Sequence, residues 1–490
     1  MKKKFVIAAA VVIGIVGLGA AAVPLAEQYS ARQIKAGIEM GGGSVDSVEV
    51  GLFNRRVTLS KVHVRQVGDI TVDRWQASGL AWPLGELLQG RTPISGLRLG
   101  DPLQAEHLEV SGLRIEADGA SWNIGSLAID GFDLGRYEAA DIGSQQFVTL
   151  AARIASALSV AEFEQKQSVY AAPGTNDRTA IGAFTIERFD HGRIGSLALA
   201  NLEATPRGAP APVFAMSELE LEGLDLTRPL KALSSPAWRP GMPLGRVGLE
   251  KGSASGFSGA VLGRYGVSLG GVTTETTHEG KDVSHARTRV EGFVFAPPIT
   301  GLETIQARLV LQAMGLKEIR LGFDCAGTED RAKGELAVDR CALAGPELGE
   351  ITLSARLVRA DGAFWQAIDD GDAFAIYRSK AALGGARLVI ADKGLLERSL
   401  KAIASTTGRS LPELRTQLAR EVRRFQPSGV LITEDLTKLL DTVARFIEIG
   451  GALTLEAKPD PPVGLDKMSY FRTPGPDWVS LLGLSATLSR

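Results

Sequence analysis

The sequence lacks the motifs of the common enzyme classes. Its 490 residues contain no H-E-x-x-H zinc motif, no G-x-S-x-G nucleophile elbow and no phosphate-binding loop. The acidic stretch AIDDGDAF at 367–374 lacks the further ligands and the terminal glutamate of a calcium loop, so it is interpreted as a polar turn. The histidines share no metal-ligand spacing; they are His63, His107, His191, His278 and His285. We therefore expect no catalytic site, no metal and no cofactor.

An excess of positive charge is also missing. The chain has 54 Lys and Arg residues against 56 Asp and Glu residues, which gives a net charge of −2. Domains that bind nucleic acids usually carry a basic surface. We therefore expect no nucleic-acid partner.

Cysteine is scarce, with only Cys325 and Cys341 present. In an oxidising compartment the two can form a disulfide, which would stabilise the protein by roughly 3 kcal/mol in the loop-entropy description. Two buried, unpaired thiols are the alternative. A zinc site is disfavoured, because two thiols without neighbouring histidines do not complete a tetrahedron.

Charge is absent from residues 5–23, which follow Lys2, Lys3 and Lys4. Nineteen apolar residues are long enough to span a bilayer, and the positive flank predicts a cytoplasmic N-terminus with the rest of the chain outside the cytoplasm. Residues 1–24 are therefore predicted to form an N-terminal transmembrane helix. A signal peptide cleaved after Ala20–Ala22 is the alternative.

Glycine is abundant, with 57 residues, and an apolar phrase is repeated along the chain. IGSLAIDGFDLGR at Ile124–Arg136 and IGAFTIERFDHGR at Ile181–Arg193 are identical at seven of thirteen positions. The centre of the phrase alternates apolar and polar residues, skips one residue, and then alternates in the opposite phase. Eight copies of this pattern begin at Val57, Leu108, Leu127, Phe184, Leu197, Leu219, Thr288 and Leu336.

Alternation with a period of two indicates a half-buried strand. A shift by one residue would send all later side chains to the other face, and a β-bulge or local kink restores the face. Glycine, skipped in four copies, tolerates the left-handed backbone that such a kink uses. The copies that skip Lys61, Arg188 or Arg340 are expected to use a residue near the right-handed helical region. A tight two-residue hairpin and chance apolar patterning are the alternatives.

The spacing between copies is irregular, with 19 residues from Leu108 to Leu127 and 57 from Leu127 to Phe184. This argues against a solenoid of fixed period. The pattern instead predicts a long, curved and bulged, largely antiparallel sheet with one apolar face. The fold class is α+β, mainly β.

Four regions follow from these patterns. Residues 1–24 are the membrane segment, and 25–360 form a strand-rich exported region with an amphipathic helix at about 141–164. Residues 361–450 are mostly helical, and 451–490 are strands that return to the sheet.

Three arginines lie close together in sequence between two predicted helix starts of the helical region. Ser410 and Thr433 are predicted to cap two of its helices. Arg420, Arg423 and Arg424 are candidates for contact with anionic lipid headgroups, with an ordinary solvated helix face as the alternative.

The phrases LEVSGLRI, LAIDGFDL and LELEGLDL, which follow the apolar N-terminal segment, resemble those of AsmA-like proteins of bacterial envelopes. The resemblance covers about residues 1–360. It implies a long sheet with an apolar groove and a role in phospholipid movement or in outer-membrane homeostasis. It also implies a single-pass inner-membrane protein with its body in the periplasm.

Two functional hypotheses follow from the resemblance and the apolar face. In the first, the protein binds or transfers membrane lipid along the groove without covalent chemistry. In the second, it is a non-enzymatic envelope assembly or scaffold protein that binds a protein partner. The second hypothesis gains weight if the helices at 141–164 and 394–449 cover the apolar face.

Overall fold

The computed structural model describes residues 23–40, 42–52, 54–65, 69–80, 100–117, 119–139, 146–174, 177–299, 301–426, 432–468 and 477–489. The described residues divide into two compact units, within 1–249 and 250–490.

The first unit contains ten strands and three helices among its described residues. The strands are β1 Gly43–Ser44, β2 Ser47–Gly51, β3 Arg56–Val64, β4 Asp69–Ser78, β5 Leu103–Ala117, β6 Ala120–Leu134, β7 Leu158–Ala171, β8 Arg178–Asp190, β9 Arg193–Thr205 and β10 Phe214–Asp225. The helices are α1 Val23–Met40, α2 Gln146–Ala157 and α3 Thr227–Leu233.

The second unit contains eleven strands and nine helices among its described residues. The strands are β11 Lys251–Ser255, β12 Val267–Ser268, β13 Gly271–Glu279, β14 Val283–Phe295, β15 Ile319–Asp330, β16 Glu335–Gly345, β17 Gly349–Val358, β18 Ala382–Asp392, β19 Ala452–Ala457, β20 Val463–Gly464 and β21 Leu484–Ser489. The helices are α4 Ala260–Tyr265, α5 Leu302–Ala313, α6 Gly362–Asp370, α7 Ala373–Tyr377, α8 Leu395–Thr407, α9 Leu411–Arg423, α10 Glu434–Ile449, α11 Leu465–Met468 and α12 Trp478–Leu481.

Strands that follow one another in sequence are neighbours in space. In the first unit β1 and β2 both pair with β3, and β3 to β10 then pair in chain order. In the second unit the order is β11, β13, β14, β15, β16, β17, β18, β19, β21, with β12 beside β14 and β20 beside β18. All of these pairs are antiparallel, so the prediction of a mainly antiparallel sheet is confirmed.

The prediction of an N-terminal transmembrane helix is corrected. Within the described part of the chain, no helix is both long enough and apolar enough to cross a membrane. Residues 5–22 of the predicted segment lie outside the described residues. The first described helix, α1, begins at Val23 and carries Glu27, Arg32 and Lys35, so its composition is that of a surface helix.

Helix α1 covers one end of the first sheet. Ile34 and Ile38, one helical turn apart, are 4% and 1% exposed and belong to the main apolar cluster of this unit. That cluster also contains residues of β2, β3 and β4, including Val57 and Trp75. The core of the first unit therefore lies at the β1–β4 side of the sheet.

The predicted helix at 141–164 is too long. Residues 141–145 lie outside the described residues, and α2 ends at Ala157, where β7 begins with Leu158. Within β7, Val160 is buried and Phe163 half-buried on one face, while Glu162 and Lys166 are exposed. Leu158 and Ala161 continue the helical spacing of Leu150 and Ile154, which is why the sequence predicted helix as far as 164, but both residues lie in β7.

Three helices of the second unit, α8, α9 and α10, lie within the region that the sequence predicts to be helical. Ser410 and Glu413 form the capping box of α9, and Thr433 caps α10. Strand β18 lies inside the region 361–450, which the sequence analysis predicts to be mostly helical. Its central residues Leu388 and Ile390 alternate with a period of two and pair with both β17 and β19.

Each copy of the repeated phrase lies in a single strand, and two copies run one residue past the strand end. The hairpin alternative is therefore wrong. In seven copies the skipped residue has a φ between 50° and 66°, in the left-handed region. These residues are Lys61, Gly112, Gly131, Arg188, Asn201, Gly223 and Gly292. The expectation that Lys61 and Arg188 adopt right-handed helical backbone is therefore wrong.

In the first unit the phase changes are shared by neighbouring strands. On β5 and β6, Ser111 pairs with Ser126 and Leu113 with Ile124, so the register is the same on both sides of Gly112. Gly112 faces Gly125 between these pairs. Both strands change phase at the same point, so no unpaired residue is needed and the apolar side chains stay on one face.

These points line up in two rows across the sheet. On each strand from β5 to β10 the two points are six residues apart, and the second has the positive φ. One row contains Lys61, Asp73, Gly112, Gly125, Gln167, Gly182, Asn201 and Ser217. The other contains Glu106, Gly131, Ala161, Arg188, Gly195 and Gly223.

The second unit uses true β-bulges instead. Between β14 and β15 the register shifts where Glu291 and Gly292 oppose the single residue Gly322. Between β16 and β17, Asp339 and Arg340 oppose Ser354 in the same way. The eighth copy is therefore a bulge, in agreement with the bulge-or-kink interpretation.

Within these rows, Gly131 combines left-handed backbone with a close approach to the neighbouring strand. We expect Gly131→Ala to lower the free energy of unfolding by about 1–2 kcal/mol, because Gly131 has a φ of 61° and left-handed backbone is costly for alanine. In addition, a Cβ atom at Gly131 would lie 2.9 Å from the Cβ atom of Ala161. Urea denaturation followed by circular dichroism measures the change.

Gly37→Ala is the matched control, since Gly37 lies in helix α1 with no atom within 4 Å of an added Cβ. It is expected to stabilise the protein by about 0.5–1 kcal/mol. Equal effects of the two substitutions would contradict the special role of Gly131.

Candidate functional site

Strands β5 to β10 present a continuous apolar face. Side chains that are directly opposite in an antiparallel register lie on the same side of the sheet. The face, called the apolar face below, has five rows that each cross six strands. From one end of the strands to the other they are Ile115, Trp122, Tyr170, Thr179, Ala204 and Phe214; Leu113, Ile124, Ser168, Ile181, Leu202 and Met216; Val110, Leu127, Gln165, Phe184, Leu199 and Leu219; Leu108, Ile129, Phe163, Ile186, Leu197 and Leu221; and Ala105, Phe132, Val160, Phe189, Ile194 and Leu224.

The last of these rows lies at the end of the strands where the helices are found. Helix α2 connects β6 to β7 and helix α3 follows β10, so both begin or end at this edge, and they pack against each other. Val160 and Ile194 in this row are 7% and 5% exposed. The apolar face is therefore buried at the end where α2 and α3 lie.

The opposite end of the apolar face is exposed and aromatic. Trp122, Tyr170 and Phe214 in the first row are 41%, 42% and 37% exposed. Between the two ends most apolar side chains are only half-buried, such as Leu127 and Leu199. No cluster of fully buried side chains forms on strands β6 to β10 within the described residues.

Two polar side chains of β7 lie within the apolar face. Gln165 is 7% exposed and Ser168 is 4% exposed. The Ser168 hydroxyl accepts a hydrogen bond of 2.8 Å from the indole N–H of Trp122. Across the thirty positions of the face there is no charged residue.

The other face of the same strands is polar and crosslinked by side chains. His107 on β5 lies 2.6 Å from Asp130 on β6, directly opposite in the register. His63 likewise lies 2.7 Å from Asp69 on the neighbouring strand. Each of these histidines therefore contacts an aspartate across a pair of strands.

One serine, histidine and aspartate meet on the surface at the β8–β9 turn. The Ser159 hydroxyl donates to Asp190 over 2.8 Å, and the Nδ1 atom of His191 lies 2.5 Å from Asp190 and 3.3 Å from Ser159. A nucleophilic triad needs the two ring nitrogens to contact different partners. Here one nitrogen faces both, so this cluster is a turn-stabilising arrangement. The hydrogen bonds that Asp190 accepts from His191 and Ser159 lower the pKa of the Asp190 carboxyl group.

The two cysteines lie on the apolar side of the second sheet. Cys325 on β15 and Cys341 on β16 are directly opposite in the register and are joined by a disulfide. Cys341 is opposite Leu353 on β17, which is 43% exposed. The helices 395–449 therefore leave this part of the sheet exposed, since α10 packs against β21 and less against β19.

The acidic stretch AIDDGDAF is structural. Asp369 accepts two hydrogen bonds from the guanidinium of Arg331, at 3.0 and 2.7 Å, and Arg331 also lies 5.1 Å from the ring centre of Trp365. Asp372 caps helix α7. No group of three or more metal-ligating side chains occurs among residues the structure describes.

Helices α8, α9 and α10 form an open, largely apolar pocket of about 340 Å³, lined by Leu396, Leu400, Leu418, Glu421, Val422, Phe425, Leu440 and Ile447. The arginines predicted for lipid contact lie near it in sequence but differ in their contacts. Arg423 donates two hydrogen bonds to Glu448, at 2.7 and 3.0 Å, and one to Asp441. Arg420 and Arg424 are exposed and form no ion pair in the described part of the chain.

A family with the description "Uncharacterized protein" matches residues 342–488, from β16 to β21. This is less than half of the chain. No curated protein matches the chain.

The different contacts of the arginines predict different effects on stability. Arg423→Met is expected to lower the urea midpoint of unfolding at pH 7, whereas Arg420→Met leaves it unchanged. The hydrogen bonds from Arg423 lower the pKa of Glu448, so the stabilisation is present above the pKa of an unfolded glutamate and is lost as the pH falls through the lower folded pKa. The difference between the variants therefore decreases in titrations from pH 7 to about pH 3. Equal midpoints at pH 7 would contradict the assignment.

Proposed function

We propose that this protein binds membrane lipid by laying acyl chains on the apolar face of β5 to β10. The observation that carries the proposal is the half-exposure of five aligned apolar rows between an aromatic end and a helix-covered end. Exposed apolar surfaces of this extent in soluble proteins usually mark sites for an apolar ligand or a partner.

The chemistry of the face favours acyl chains over a protein partner. Interfaces with proteins usually combine an apolar centre with hydrogen-bonding and charged groups at the rim. The apolar face has no charged residue in thirty positions, and its polar groups are the side chains of Gln165, Ser168 and Thr179 and the single polar atoms of Trp122 and Tyr170. A hydrocarbon chain can make apolar contacts with such a surface along its whole length.

In this proposal lipid enters at the aromatic end. Trp122 and Tyr170 combine an apolar ring with a polar atom, which suits the boundary between a membrane and water. The proposed location is the envelope of a bacterium, outside the cytoplasm, where the Cys325–Cys341 disulfide is stable. The sequence resemblance supports the same location.

Lipid binding is tested by native mass spectrometry and lipid extraction of the full chain. We expect stoichiometric phospholipid. A lipid-free protein that also fails to take up phospholipid from vesicles would overturn the proposal, and stable co-purification of one protein would then favour an assembly or scaffold role.

A polar substitution within the apolar face is expected to weaken lipid binding. Leu199→Thr keeps a side chain that suits a strand but removes apolar contact from the middle row, so affinity for a phospholipid should fall by about fivefold. The change is measured by displacing a phospholipid with a fluorescent acyl chain from the protein with unlabelled phospholipid.

Ala198→Thr is the matched control, because Ala198 is the preceding residue and is exposed on the polar face. It is expected to bind like the wild type. An equal loss in both variants would mean that the apolar face is not the site.

The aromatic end should control lipid exchange with membranes. Tyr170→Ser is expected to slow lipid uptake from vesicles several-fold, because it removes an exposed ring at the proposed entry. Tyr29→Ser is the control, since Tyr29 is 55% exposed on helix α1, away from the apolar face. A transfer assay between donor and acceptor vesicles compares the two, and equal rates would place the entry elsewhere.

A further inference from the structure

One amide lies in the centre of the apolar face. Gln165 is directly opposite Leu127 on β6 and Phe184 on β8, and is 7% exposed. Phe184 and Phe163 are in edge-to-face contact, with ring centres 5.9 Å apart. The amide of Gln165 forms no hydrogen bond with any residue that the structure describes.

The Gln165 amide is not one of the side-chain groups that are shielded from solvent without a hydrogen-bond partner, so water reaches it while the face is open. An acyl chain on the face would exclude that water, and an amide left without a partner in an apolar setting is unfavourable. Methionine or leucine would fill the same space without this cost. An amide at this position is therefore expected to hydrogen-bond a group that is not part of the chain.

Ser168 extends the polar group by one row towards the aromatic end. Its oxygen accepts from the indole of Trp122, so its own hydroxyl hydrogen is left to donate. No acceptor for that hydrogen occurs among the described residues. Gln165 and Ser168 thus offer amide and hydroxyl donors to one ligand.

The ligand group that fits is a neutral acceptor. A phosphate or free carboxylate would need a cation, and the thirty positions of the face contain none. An ester carbonyl oxygen is uncharged and accepts hydrogen bonds from amide and hydroxyl groups.

We propose that Gln165 and Ser168 bind the two ester carbonyls of a diacyl glycerolipid whose acyl chains lie on the apolar face. This inference rests on the proposed lipid-binding function. It sets the direction of the lipid, because the headgroup then points towards the aromatic end. Between Gln165 and Val160, about 16 Å of strand remain for the acyl chain.

The test compares two lipids that differ only in the carbonyl groups. A short-chain diacyl phosphatidylcholine and its dialkyl ether analogue of equal chain length are titrated into the full chain by calorimetry. The wild type is expected to bind the diester about three- to tenfold more tightly, as one net hydrogen bond implies. In Gln165→Met this preference should disappear, while affinity for the ether lipid is retained.

Gln104→Met is the matched control, since Gln104 is exposed on the polar face of β5 and opposite Asp133. It should keep the ester preference. The urea midpoint of Gln165→Met should equal or exceed that of the wild type, because the amide forms no hydrogen bond with the described residues that the substitution could remove; a large decrease would indicate a structural role and overturn the inference.

Two further outcomes separate this inference from the proposed function. Equal binding of both lipids by the wild type would overturn the role of Gln165 and Ser168 but leave lipid binding intact. Binding of neither lipid would overturn the proposed function itself.

Discussion

The structure of the first unit depends on one constraint, which is that hydrogen-bonded strands must change side-chain phase together. Side chains alternate with a period of two, so a one-residue shift on one strand moves its apolar residues to the wrong face. The strands β5 to β10 meet the constraint by placing a left-handed residue opposite a small residue on the neighbouring strand. Gly125 faces Gln167 and Gly182 faces Asn201, where a Cβ atom on either glycine would lie about 3.0 Å from the opposing side chain.

The same constraint explains why the chain repeats one phrase. IGSLAIDGFDLGR and IGAFTIERFDHGR belong to β6 and β8, which run in the same direction and cross the same two rows. Ile-Gly at the start of each phrase meets the first row, and Gly131 or Arg188 meets the second. The copies could therefore be recognised as strands with a phase change from sequence alone, and the apolar face follows from them.

Other features could not be predicted from the sequence. Some depend on contacts between residues far apart in the chain, and others lie where the sequence fits both a helix and a strand. Gln167 has a left-handed φ of 54° within a polar stretch, and only its position opposite Gly125 and Gly182 requires it. Leu158 and Ala161 fit a helical spacing as well as a strand, and pairing with β6 and β8 decides between them. The contacts of Arg423 with Glu448 and Asp441 join α9 to α10, and spacing along one helix could not show them.

The placement of Gln165 on the apolar face follows from the same phase changes. The phase changes on β7 lie at Ala161 and Gln167, so Phe163 and Gln165 are held on the apolar face between the two rows. A rotation of the strand that would turn the amide to water would also turn Phe163 away from Phe184 and break the register with both neighbours. The sheet can thus tolerate a polar residue there only if its amide is satisfied from the solvent-accessible side of the face, and an acyl chain on that face would exclude the water that otherwise does so. Under the proposed function, a bound lipid would therefore have to supply an acceptor for Gln165, and a plain hydrocarbon would leave the amide without a partner.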